Sequence, residues 1–214
     1  MREYFDRELA ALNNRITDMG SIVECAIKNA AAMILSGNIS QLDEIRHNEC
    51  KINEAEKRIQ AQCMTILLHQ APVAHDLRYV SAALKMITDL ERIGDQAADI
   101  AEMGVYIKND VNALNMTHIA TMACESAKMV ANAIDAFVKK DLELAKEVSL
   151  CDDEIDNLFD KVREETVEII SKDKKLGVQA IDIVMIAKYL ERIGDHAVNV
   201  AEWTAFSLTG STCL

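Results

Sequence analysis

Thirteen consecutive residues of this chain return one hundred positions later. Leu90-Glu91-Arg92-Ile93-Gly94-Asp95-Gln96-Ala97-Ala98-Asp99-Ile100-Ala101-Glu102 reappears as Leu190-Glu191-Arg192-Ile193-Gly194-Asp195-His196-Ala197-Val198-Asn199-Val200-Ala201-Glu202, with nine of the thirteen positions identical. Weaker echoes precede both copies, Lys51-Ile52-Asn53 against Glu154-Ile155-Asp156 and Gln41-Leu42 against Asp141-Leu142. The repeated unit is therefore most of a half-chain, and the fold must be one that two like halves can build.

The halves are helical. One Pro and seven Gly in 214 residues leave too few turn residues for an all-β or doubly wound fold. Each half carries three apolar-periodic stretches, 3–37, 39–70 and 73–106, then 116–139, 142–172 and 177–207. Breaks are expected at Gly37-Asn38, at Pro72 as a first-turn residue, at Gly104 with Asn109-Asp110 beyond it, and at Gly177. The spacing predicts an all-α protein of two tandem three-helix bundles: a first unit over 1–106, a linker over 107–115, a second unit over 116–207 and a flexible tail over 208–214. Helices of about thirty residues are roughly 45 Å long, which favours antiparallel packing.

Charge narrows the partners. Asp and Glu number 35 against 23 Lys and Arg, a formal charge of −12, which argues against a nucleic-acid surface and against direct binding to anionic lipid. The six cysteines form no Cys-x-x-Cys pair, and the first residues contain no apolar leader. A cytoplasmic protein with reduced thiols is expected, reaching a membrane only through partners. The five histidines share no common spacing, and adjacency on a helix turns His196 about 100° from Asp195.

Acidic residues interrupt the apolar seam of the third stretch. Leu77, Val80, Leu84 and Ile87 alternate at three and four residues, and the same spacing continues onto Glu91, Gly94, Ala98 and Ala101. Asp95 and Asp99 follow Glu91 at four-residue steps on the same side of the helix. In the second half Val184 and Ala187 lead to Glu191, with Asp195 and Asn199 alongside. Carboxylates withdrawn from water must be paired, hydrated or bound to cations. Oxygen donors suit Mg, Ca, Mn or Fe, while Arg92, Lys85 or an arginine of a neighbouring helix would satisfy them equally as ion pairs. Facing donors on the second stretches are Asp152 and Asp156, or Glu49 and Asn53. Gly94 and Gly194 would admit a neighbouring helix or a bulky cluster, which accounts for glycine at helix positions where it is unfavourable by about 1 kcal/mol.

Two copies of Leu-Glu-Arg-Ile-Gly-Asp, each on the last helix of a three-helix repeat and followed by Ala-x-Asp/Asn-x-Ala-Glu, closely resemble the PhoU family of phosphate-uptake regulators. Pro72-Val73-Ala74-His75-Asp76-Leu77-Arg78 is similar to that family's entry into its third helix, and the resemblance covers essentially the whole chain. It implies a negative regulator of phosphate uptake and phosphate-starvation signalling, a homodimer that bridges the ATPase subunit of a phosphate ABC transporter and a sensor histidine kinase. It also implies multinuclear metal, Fe or else Zn, Mn, Mg or Ca, held through Glu91 with Asp95 and Glu191 with Asp195, and faced by Asp152 with Asp156. Glu49 with Asn53 departs from the family's facing motif, and Asn199 replaces an acid, so the two sites are expected to be unequal.

Two other functions fit parts of the sequence. A ferritin-like di-iron protein needs two Glu-x-x-His motifs and two further Glu, and only Glu44-Ile45-Arg46-His47 has that spacing. A metal-free adaptor of the same fold, serving another transporter, would use its acids to bind a basic surface. No nucleophile–base pair, P-loop or dinucleotide fingerprint is present, so no enzymatic activity is expected.

Overall fold

A computed structural model describes residues 2–70, 73–107 and 116–214. Six helices account for nearly all of it: α1 (Arg2–Ser36), α2 (Leu42–Gln70), α3 (Ala74–Ile107), α4 (Thr117–Lys139), α5 (Leu142–Lys172) and α6 (Gly177–Thr209), with no strand among the described residues. The fold is all-α and the two halves are three-helix units, as the repeat predicts.

Each helix is held by a stripe of side chains at three- and four-residue spacing. Leu12, Ile16, Met19 and Val23 of α1 are fully buried, as are Ile45, Ile52, Ile59 and Ile66 of α2, one per heptad. On α3 the seam begins at Val80 rather than at Leu77, which is 46% exposed. By length and a mean hydropathy of 1.2, the stretch Phe5–Ser36 could cross a membrane. Its apolar side is instead turned into the bundle, which accounts for its composition.

The turns are built by different residues in the two halves. Gly37 takes φ +66° and Asn38 caps a 3-10 turn over Ile39–Gln41. At the matching corner of the second half Lys140 adopts φ +57°, and the Asp141 carboxylate accepts the amides of Glu143 and Leu144, both at 3.1 Å, to start α5. Asp173 caps the 3-10 turn before Gly177, the first residue of α6. Gly104 is not a break. It lies buried inside α3 against α1, where an added Cβ would stand 3.0 Å from Met33 Cε. Pro72, Asn109 and Asp110 lie outside the described residues, as does most of the expected linker. At the far end α6 runs past the expected end at 207. Ser207 is buried, Gly210 (φ +89°) caps the helix, and Leu214 packs on the core.

Four helices, α1, α3, α6 and α4, pack in a closed ring, and one core runs through both repeats. The α3–α6 pairing is the most extensive. It is antiparallel, since Arg78 near the start of α3 reaches Gly210 at the end of α6. α2 lies across α1 and α3, and α5 across α4 and α6. The α2/α3 and α5/α6 grooves therefore open on the same side of the molecule, and α1 and α4 form the other side.

Candidate functional site

The α2/α3 groove collects most of the first-repeat acids predicted from sequence. Glu49 of α2 faces α3: burial first, then the charges of Asp95, Glu102 and Asp99, push its carboxyl above the usual range. Burial likewise raises Glu91, with Asp95 adding to it, and raises Asp99, where Arg192 acts in the opposite sense. Arginines answer much of this charge. Arg92 approaches Glu91 at 3.5 Å and Asp95 at 3.3 Å, and Arg46 of α2 donates to Glu102 at 2.9 Å. Asn53 Oδ1 is buried with no hydrogen-bond partner.

The α5/α6 groove is differently made. Burial, followed by the charges of Asp195, Asp156 and Glu191, raises the Asp152 carboxyl to about 6. Asp152 Oδ1 and Glu191 Oε2 are both buried without a partner. Among the described residues, one cation, Lys188, reaches Glu191 Oε1.

The repeated glycines set how closely the outer helices approach. At Gly94 an added Cβ would lie 2.8 Å from Ile52 Cδ1 and 3.1 Å from its Cγ2, so apolar α2 fills the space. At Gly194 the nearest atom is Asp152 Oδ1, at 3.0 Å, so here the missing side chain admits a carboxylate. The same substitution of hydrogen for a side chain thus serves packing in one repeat and the acid groove in the other.

Asn199 does not join Glu191 and Asp195. Its amide donates to Asp89 Oδ1 of α3 at 3.1 Å, because α6 turns this face toward the seam between the repeats. Asp89 also meets His196 Nδ1 at 2.9 Å and accepts from Trp203 Nε1 at 3.2 Å. Three side chains of one repeat thus converge on a carboxylate of the other. Sequence reasoning turns His196 about 100° away from Asp195 and passes over Asp89 and Trp203. The available clue was the break in the repeat: Tyr189, Gln96 and Met103 stand at the matching positions.

Two buried, unpartnered carboxylate oxygens in the α5/α6 groove, and the Asn53 oxygen in the α2/α3 groove, are donors of the kind a hard cation takes. The residues present fit such an ion by chemistry. Among the described residues, no three His, Cys, Asp or Glu side chains are grouped to hold one, so loading requires side-chain rotation. Glu44 and His47, the one Glu-x-x-His pair, are both exposed, outside the core where di-iron ligands sit.

Comparison with known proteins agrees with the geometry. The PhoU domain matches residues 16–104 and again 119–204. The phosphate-specific transport system accessory protein PhoU homolog of Clostridium acetobutylicum is 31% identical over 210 residues, covering 98% of this chain and 96% of that one. The Deinococcus radiodurans homolog is 30% identical over 99% of both chains. The crystal structure of PhoU from Pseudomonas aeruginosa superposes with a TM-score of 0.91 at 28% identity, covering 97% of this chain and all of that one. The phosphate transport system regulatory protein PhoU from Streptococcus pneumoniae gives 0.90 at 25% identity, covering 98% and 99%. With the family's domain matched in each repeat and both relatives aligned nearly end to end, the chain belongs to the PhoU family of phosphate-transport accessory proteins.

Proposed function

We propose that this protein is a non-enzymatic negative regulator of phosphate uptake and of phosphate-starvation signalling. It acts in the cytoplasm as an adaptor between the ATPase subunit of a phosphate ABC transporter and a sensor histidine kinase, as a homodimer. The observation that carries the reading is the pair of acid-lined grooves on one side of a duplicated scaffold. Glu91, Asp95 and Asp99 with Glu49, and Glu191 and Asp195 with Asp152 and Asp156, are the residues that would hold metal ions. Such ions would supply positive charge that neutralises the grooves and fixes the spacing of the outer helices against α3 and α6.

Deleting the gene is expected to derepress a phosphate-starvation reporter in phosphate-replete cells. Unchanged expression in a strain that normally contains the folded protein would sink the regulatory reading. Metal is tested separately, by elemental analysis of protein purified without chelator, for the wild type and for Glu91→Ala/Glu191→Ala. Metal present in the wild type and lost from a folded variant is the expected result. No metal in either would recast the acids as a docking surface for a basic partner.

A further inference from the structure

A third groove lies on the side of the molecule away from the two acid-lined ones, lined only by α1 and α2, with a volume of about 850 Å³. It runs from Glu8 to Ile22 on α1 and from Lys51 to Thr65 on α2, about 21 Å at 1.5 Å per residue. That length is four helical turns, too long for a compact ligand.

One polar atom of its walls is unsatisfied. Gln62 is only 8% exposed and lines the groove. Its Nε2 donates to the Glu8 carbonyl at 3.2 Å, which fixes the amide orientation, and leaves Oε1 buried without a donor. Among the described residues, the exposed Arg15, Asp18 and Lys51 line the groove without an ion pair, while Glu54 and Arg58 of its α2 wall pair with each other at 2.9 Å. Ala11, Ala55 and Ala61 provide depth.

The second repeat closes the corresponding space. With α1 and α2 set on α4 and α5 through Met19 on Met122 and Ile52 on Ile155, Ala55 corresponds to Leu158, which is 7% exposed, and fills the gap. Gln62 corresponds to Glu165 and Arg15 to His118, and that pair meets at 3.1 Å. The same scaffold is thus shut in one half and left open in the other.

We propose that the outer α1/α2 groove is the seat for one amphipathic α-helix of a partner protein. That helix lays an apolar stripe on the alanines, flanks it with both acidic and basic side chains for Arg15, Lys51 and Asp18, and donates a hydrogen bond to Gln62 Oε1. It completes a four-helix bundle with α1, α2 and α3. In a two-fold dimer a second copy would present the same concavity, and two concave surfaces do not interlock. On the adaptor reading above, on which this assignment rests, the helix belongs to the transporter's ATPase subunit.

The test is the dissociation constant of the purified full-length chain for the purified ATPase subunit. Ala55→Leu, which copies the second repeat, and the exposed pair Arg15→Glu/Lys51→Glu are each expected to weaken binding at least about tenfold. Glu143→Gln on α5 should leave it unchanged, and circular dichroism reports on folding of each variant. Should Ala55→Leu fail to fold, the surface pair decides. Wild-type binding that neither groove variant weakens overturns the seat and leaves the adaptor reading standing. Absence of wild-type binding overturns both. Loss of a dimer in the groove variants with ATPase binding intact would reassign the groove to a second copy.

Discussion

The α2/α3 and α5/α6 grooves descend from one sequence motif, yet they handle their charge in opposite ways. In the first repeat Arg92 lies against both Glu91 and Asp95, and Arg46 holds Glu102. In the second, Lys188 takes one oxygen of Glu191, and Asp152 is pressed into the space that Gly194 leaves. Duplication preserved the helices because their apolar seams are shared by every contact of the core. Groove charge was free to diverge, since each groove touches only its own outer helix. The second groove is therefore the one with an outstanding demand for positive charge.

Asp89 marks the sharpest departure between the repeats, because Tyr189 in the other copy cannot offer an acceptor of that kind. Asp89→Ala would leave His196, Asn199 and Trp203 without their shared partner inside a seam where the Asp89 side chain is 15% accessible. A loss of about 2–3 kcal/mol is expected, read from urea unfolding. Trp203 is the only tryptophan, so its emission should report the loosened seam at once. An unchanged midpoint and spectrum would show that the seam is held by apolar packing alone.

The glycines give the next largest contrast. Gly94→Ala drives a methyl into the branched body of Ile52, and is expected to cost about 1–2 kcal/mol after the gain in helix propensity. Gly194→Ala meets only the tip of Asp152, which can rotate, so stability should change by less than about 0.5 kcal/mol. Equal effects in thermal unfolding would remove the distinction drawn between a packing glycine and one that admits a carboxylate.

The sequence carried the helices, their order and the acid positions, because each follows from spacing along one helix. Residues 142–172, for example, form α5 over the predicted span. What depended on the relation between helices was not legible. Asn199 follows Asp195 by four residues, but it lies far enough round α6 to meet α3 instead of α5. Nothing in one repeat alone says which face of α6 the other repeat will cover. Gly104 likewise reads as a stop, and only the approach of α1 explains it as a contact.

Asp152 offers a pH-resolved version of the comparison. Its folded pKa of about 6 lies above the unfolded value, because burial and neighbouring acids disfavour the charged form. An acid shifted this way makes the folded state bind more protons. Stability is therefore lost as pH rises from about 4 through about 6, and the full penalty is present at neutral pH. Asp152→Asn removes it. Discounted for the solvent that reaches the groove, the gain at pH 7 without added metal is expected to be about 1 kcal/mol, vanishing near pH 4. A gain that persists unchanged at pH 4 would point to packing instead of charge.

Arg92→Ala carries the smallest expected change in stability and the most direct test of the contrast. The pairs it breaks are half exposed, with the Arg92 side chain 57% accessible, so the loss should stay below about 1 kcal/mol and shrink further in salt. The consequence for charge is larger. With Arg92 gone, Glu91 and Asp95 join Glu49 and Asp99 as acids without that local counter-charge, and the first groove comes to resemble the second. If arginine is what separates the two, the variant should gain more thermal stability from added Mg or Mn than the wild type does, since a ligand of the folded state stabilises it by RT ln(1 + [L]/Kd), and a tighter site gains more at the same concentration. The gain should disappear when Glu91 is also changed to Gln. A variant whose response to the metals matches the wild type would mean that Asn53, and not Arg92, sets the first groove apart.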